Sequence, residues 1–170
     1  MGWDEIANSV CPIARSLAVL GDRWTMLLIR EFFLGTRRFD ALQAQTGMSS
    51  HLLASRLKRL ERAGIVERRQ YQARPPRYEY RLTPKGLDLH GVVLALRAWG
   101  MRWSGLDPAD EPAVALIHKT CGSAISDLSF HHDCGQVLLP QDILTTFGDA
   151  FSAERIARST HTAKDAADAP

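Results

Sequence analysis

The sequence predicts a mainly helical fold with a small β component (α+β), on three observations. Apolar residues recur at helical spacing through residues 12–63 and again through 84–103. Between these stretches, two β-rich segments flank a polar tip that contains two prolines. Charge is unevenly divided: residues 1–103 carry a net +8 and residues 104–170 a net −6, hidden within an overall +2. At 170 residues and 45% apolar content, the chain can bury one compact core and carry an appendage. No apolar run is long enough to span a bilayer. The N-terminal stretch lacks the basic-then-apolar order of a secretory leader. Three cysteines, an odd number, fit a reducing cytoplasm better than a disulfide framework.

The first helix is read from "VCPIARSLAVLG", where Ile13, Leu17 and Leu20 share a face. Pro12 suits its first turn and Gly21 its end. In "DRWTMLLIREFFLG", Asp22 can cap a second helix. Its apolar stripe is read as Trp24, Leu27, Leu28, Phe32 and Leu34, with Gly35 as the stop. "RRFDALQAQTG" is a short helix ending at Gly47, with Phe39, Ala41 and Leu42 inward. "MSSHLLASRLKRLERAG" follows, with Ser49 or Ser50 as N-cap and Gly64 past the C-terminus. Leu53, Leu57 and Leu60 form its buried stripe, and His51, Ser55, Lys58, Arg59 and Arg62 lie opposite.

The period then changes. "IVERRQY" and "RYEYRLT" predict a hairpin around "QARPP", in which Pro75 and Pro76 restrict the tip and leave Arg74 and Arg77 projecting. Thr83 and Pro84 open one long helix to Trp103. Leu87, Val92 or Val93, Leu96, Trp99 and Trp103 give it more apolar surface than the last helix of a small domain needs. Pro108 and Pro112 separate it from an acidic part with short strands expected at 113–118, 124–130 and 136–139, and a polar tail after Ser152. The organisation is therefore residues 1–106, a small β appendage at 107–151, and a tail at 152–170.

Four helices, a hairpin and a last helix make the order of a winged helix-turn-helix, with the helix-turn-helix at residues 39–63. Its second helix would enter a major groove, and the hairpin would reach an adjacent backbone or minor groove. Residues 56–85 hold ten basic and three acidic residues, the footprint of a polyanion partner.

Several motifs together resemble the HxlR-type bacterial transcription regulators, relatives of the MarR group, over about residues 10–104. They are Cys-Pro near the start, Gly-Asp-Arg-Trp-Thr, Arg-Phe-Asp, Leu-x-x-Arg-Leu-x-x-Leu and Tyr-x-Leu-Thr-x-x-Gly. The resemblance implies a homodimeric DNA-binding regulator, often a repressor of an adjacent gene. It also implies a dimer interface built from the first and last helices of the core, which would employ Leu96, Trp99 and Trp103. Members with a cysteine at the position of Cys11 include sensors of electrophiles and disulfide stress.

The candidate DNA contacts follow from side-chain chemistry. Ser50, His51 and Ser55 suit base edges and phosphates near the start of the recognition helix. Arg56, Lys58 and Arg59 can reach either, though Arg56 can instead lay its stem on the core. Arg37 and Arg38 suit phosphates, and Arg74 and Arg77 suit the backbone or a narrow minor groove. Cys11, before Pro12 at a helix start, sits where amide donors favour a thiolate; the plain alternative is a packed small hydrophobe.

His118, Cys121, His131 and Cys134 form two His-x-x-Cys-Gly units that resemble a shortened zinc ribbon. Zinc is one reading of them. The others are a metal-free β appendage and a Cys121–Cys134 disulfide.

The leading function is a cytoplasmic, sequence-specific regulator acting as a homodimer on a pseudo-palindromic operator, released by a thiol-reactive compound or a small ligand. The alternative gives the acidic C-terminal appendage a role as a protein–protein or metal-dependent module. An enzyme is disfavoured, because the His/Cys set is closed at four ligands and no base lies at a motif distance.

Overall fold

The computed structural model of the chain describes residues 6–105, residue 116, and residues 149, 150, 152, 153 and 156. The proposed metal ligands His118, Cys121, His131 and Cys134 lie outside the described residues, as does nearly all of the expected β appendage. The described elements are α1 (Pro12–Leu20), α2 (Thr25–Phe33), α3 (Phe39–Thr46), α4 (Ser50–Arg62), β1 (Val66–Gln72), β2 (Arg77–Leu82), α5 (Pro84–Leu87) and α6 (His90–Trp103).

The core is one cluster in which Leu28, Ile29 and Phe32 of α2 meet Leu42 of α3, Met48 of the turn that follows it, Leu53, Leu57 and Leu60 of α4, and Ile65 and Val66 at the start of the wing. Burying each such side chain stabilises the fold by about 1.5–3 kcal/mol, which is why the leucine stripe decides which face of α4 turns inward. Ser49 caps α4, its hydroxyl accepting from the Leu52 amide at 3.3 Å, so Ser50 is the first helical residue. Gly47 and Gly64 both take positive φ, 69° each, at the turns that flank α4. A side chain there would strain the backbone and move the helix.

Two expectations change. The buried row of α2 is Thr25, Leu28, Ile29 and Phe32, the i, i+3, i+4, i+7 set, whereas Leu27 and Leu34 point outward. The single helix expected from Pro84 to Trp103 is broken at Asp88–Leu89 into α5 and α6. Thr83 caps α5 by accepting from the Gly86 amide at 3.2 Å, and its hydroxyl donates to the Gly64 carbonyl at 2.6 Å. Gly86 is buried so tightly that a Cβ there would meet the Ile65 carbonyl and lie 2.9 Å from the Leu82 side chain. The first turn is thus clamped to the end of α4, and the chain bends before α6 runs against α2, where the Phe33 and His90 rings meet at a tilt of 51° with centroids 4.9 Å apart.

β1 and β2 pair antiparallel from Val66↔Leu82 to Gln72↔Arg77, with an irregularity at Tyr71. The wing is tied to the helical layer: Arg38 bridges Glu79, and the Tyr80 amide donates to the Arg37 carbonyl at 2.8 Å. Val66, Arg68, Gln70, Tyr78, Tyr80 and Leu82 share one face of the ribbon by register. Glu67, Arg69, Glu79 and Arg81 share the other, where Arg69 pairs with Glu67 and Arg81 with Glu79.

Candidate nucleic-acid interface

α4 turns one face to the core and the other to solvent. Leu53, Leu57 and Leu60 are buried, while Ser50, His51, Ser55, Lys58 and Arg62 are exposed on the outer side. The exposed set starts at the helix N-terminus, where short polar side chains and free amides can approach a base edge or a phosphate closely. The helix runs for 13 residues from its cap at Ser49.

The two arginines on the flank of α4 do something else. Arg56 Nε lies 3.4 Å from Asp22 Oδ1, and Arg59 Nη1 lies 3.8 Å from Asp22 Oδ2. Arg59 also donates to the Ala18 carbonyl in α1. Asp22 meanwhile accepts from the amides of Trp24 and Thr25, at 3.0 and 3.1 Å, and from the Thr25 hydroxyl at 2.6 Å. One carboxylate therefore caps the entrance of α2 and holds two cations of α4 against the α1–α2 corner. Burial pushes the Asp22 carboxyl up, but the hydrogen bonds from Thr25 and Trp24 and the Arg56 guanidinium outweigh it and hold the pKa below 3.8. Of the ten residues expected to face DNA, Arg56 and Arg59 are the two turned inward into this junction. Sequence spacing places Arg59 opposite the leucines but carries no sign that a carboxylate 37 positions earlier receives it.

On the wing, Arg74 is exposed at the tip and Arg77 is exposed where β2 begins. The Arg74–Pro75 peptide is cis, and Gln72 Nε2 donates to the Arg74 carbonyl at 3.0 Å. Arg37 and Arg38 are exposed just before α3. A shallow cleft of about 510 Å³ opens between the start of α3 and the wing, and Arg38, Arg68, Tyr71, Arg77 and Tyr78 line it. Arg68 lies over the Tyr78 ring at 3.6 Å and Arg38 over the Tyr71 ring at 4.7 Å. Arg68, Tyr71 and Tyr78 escape a reading of the sequence because the register alone puts the two strand residues on one face and a bulge turns Tyr71 toward Arg38. Burial raises the Tyr80 phenol above 10.0, against the pull of Arg68 and with the Glu61 carboxylate adding to the rise.

The remaining candidates lie on the opposite side of the sequence map. Cys11 is a half-buried free thiol at the N-cap of α1, and its amide donates to the Ser9 hydroxyl at 3.0 Å. α1 buries no residue within the protomer: Ile13 is 71% exposed. On α6, Val92, Leu96, Trp99 and Trp103 form one outward stripe, with the two tryptophans 63% and 67% exposed, whereas Val93 packs on the core. Among the described residues no group of three or more His, Cys, Asp or Glu is arranged to hold a metal. No helix among them is long and apolar enough to cross a membrane.

Comparison with known proteins agrees with this architecture. Residues 19–108 match the family described as HxlR-like helix-turn-helix. An uncharacterised HTH-type transcriptional regulator of Mycobacterium tuberculosis is 34% identical over 142 residues, covering 84% of this chain and 89% of its own. The HTH-type transcriptional regulator YodB of Bacillus subtilis is 38% identical over 96 residues, covering 55% of this chain and 86% of its own. The crystal structure of PA1607, described as a candidate transcription factor, superposes with a TM-score of 0.76 at 32% identity, over 85% of this chain and 99% of that one. The redox regulator HypR in its oxidised form superposes with a TM-score of 0.51 at 34% identity, over 57% of this chain and 99% of that one. The mycobacterial match is longer than residues 1–108, so the likeness continues past the end of the family match into the acidic part. The relatives are transcriptional regulators, not enzymes, and this chain belongs to the HxlR-like helix-turn-helix family of DNA-binding transcriptional regulators.

Proposed function

We propose that the protein is a homodimeric repressor that binds a pseudo-palindromic operator and leaves it when the Cys11 thiolate reacts with an electrophile or oxidant, or when a small ligand enters the dimer crevice. The observation that carries the reading is the two-faced α4. Its leucines are spent on the core, and Ser50, His51, Ser55 and Lys58 stand free at a capped, rigid helix beside a basic wing. Lys58 supplies charge, the hydroxyls and His51 supply donors and acceptors to base edges, and Arg37, Arg38, Arg74 and Arg77 supply phosphate contacts on the flanks. Arg56 and Arg59 act through Asp22 as holders of the helix angle.

The dimer is supported by the outward apolar stripes of α1 and α6, which no other described element covers. Two-fold pairing would set the recognition helices about one DNA turn apart. Cys11 is the N-cap of α1, so a modified thiol would disturb the entrance of the helix that carries the stripe and the Ala18 carbonyl. That one relative, HypR, exists in reduced and oxidised forms favours a thiol trigger. Selection of bound duplexes from a random pool, with and without diamide, tests the whole reading. A palindrome enriched only without diamide is the expected result. A pool with no enriched sequence under either condition would overturn it.

A further inference from the structure

We infer that the cleft between the wing and the start of α3 is a preformed seat for one or two DNA backbone phosphates, held by Arg38 and Arg68 on Tyr71 and Tyr78. It rests on the DNA-binding reading and adds contacts on the inner face of the wing, away from the tip. Three observations carry it. The face of the ribbon that begins with buried Val66 continues outward as Arg68 and Tyr78, both exposed. On the outer face the arginines are neutralised, Arg69 by Glu67 at 2.5 Å and Arg81 by Glu79 at 2.7 Å. In the cleft neither Arg38, Arg68 nor Arg77 is paired with a carboxylate among the described residues, although Asp40 lines the same cleft.

The chemistry follows from those contacts. A guanidinium lying over a tyrosine ring spends no donor on a carboxylate, so its N–H groups can serve a phosphate. The ring also fixes the long side chain before the ligand arrives, which removes an ordering cost that flexible wing-tip arginines carry at binding. A phosphodiester fits better than a carboxylate or an uncharged ligand, because three guanidiniums line one open, shallow hollow beside the first helix of the helix-turn-helix. Asp40 keeps the seat from being uniformly positive and turns the favoured anion toward the arginine side.

Salt-dependent binding to operator and to scrambled duplex separates the outcomes. Replacing both arginines (Arg38→Gln with Arg68→Gln) should lower the slope of log K against log salt by about 0.9 for each phosphate lost, equally for both duplexes. Replacing both rings (Tyr71→Ala with Tyr78→Ala) keeps the charges, so the slope should stay while affinity drops roughly 2- to 10-fold for each freed arginine. A purely structural role for the stacks would instead lower the melting temperature of both double variants and leave the slope unchanged. Unaltered slope and affinity in the arginine variant, with wild-type protein binding DNA normally, would overturn the seat alone. Absence of any salt-dependent binding by wild type would overturn the DNA reading and the seat with it. Inorganic phosphate titrated in parallel distinguishes the source: saturable shifts at Arg38 and Arg68 with no change in the DNA slope of the variants would make the cleft a free-anion site and overturn the backbone assignment.

Discussion

Replacing Asp22 tests the link between the α1–α2 corner and the recognition helix. In Asp22→Ala the two amides at 3.0 and 3.1 Å and the Thr25 hydroxyl at 2.6 Å lose their acceptor. Loss of a helix cap costs about 1 kcal/mol. Arg56, whose side chain is only 23% exposed, loses its counter-ion, and its Nε already has no hydrogen-bond partner. The ion-pair distances of 3.4 and 3.8 Å are long, so this part is worth about 1 kcal/mol, below the range for short charged hydrogen bonds. The sum is about 2 kcal/mol, or ~4–8 °C in melting temperature for a chain of this size. Asp22→Asn keeps an acceptor for the cap and loses the charge, so it should cost about half as much.

The pH dependence has a defined sign. The folded pKa of Asp22 lies below 3.8, so the unfolded chain binds that proton more readily. Its stabilising contribution is fully present above about pH 4 and is lost as pH falls through the lower folded value. Thermal melts of wild type and Asp22→Asn from pH 7 down to pH 3 should therefore converge at the acid end. Operator affinity should also fall in the variant at pH 7, since α4 is less firmly held. A variant that melts with wild type at pH 7 and shows the same acid limb would refute the reasoning.

Gly86→Ala places a methyl against the Ile65 carbonyl, and because that neighbour is backbone it should destabilise the fold by about 1–3 kcal/mol in urea denaturation. Trp99→Asp puts a charge in the outward stripe of α6 and should convert the proposed dimer into a monomer in sedimentation velocity, while the circular dichroism of the protomer is retained. Cys11→Ser should bind the operator as wild type does and keep that binding in diamide; loss of binding by the serine variant on oxidation would move the trigger elsewhere.

Much of the fold was legible because its signals are local. Leucines at i, i+4 and i+7 assign the inner face of α4 without reference to any other element, and Ser49, Gly47 and Gly64 mark its ends by backbone chemistry alone. The alternation of β-rich segments around two prolines marks the wing in the same way. Where several faces of one helix were apolar, local pattern was insufficient: Leu27 and Leu34 look as buried as Leu28 until α3 and α4 are in place. The break at Asp88–Leu89 follows a first turn whose Gly86 is seated against the Ile65 carbonyl, a contact that no local pattern announces.

The sequence by itself determined the order of elements as far as the wing, the leucine core stripe, the basic character of residues 56–85 and the family. Each of these depends on neighbours within a few positions or on composition, and both survive any arrangement of the elements. Only the tertiary structure decided which cations are free. Arg56 and Arg59 look like Lys58 along the chain, yet Asp22 and the Ala18 carbonyl, about 34 to 41 positions away, turn them inward. Arg68 and Arg69 are adjacent and chemically identical, yet the strand period sends one to Glu67 and the other over Tyr78 in the cleft. Charge is a property of the residue, but its availability to a phosphate is a property of what the fold brings within about 4 Å.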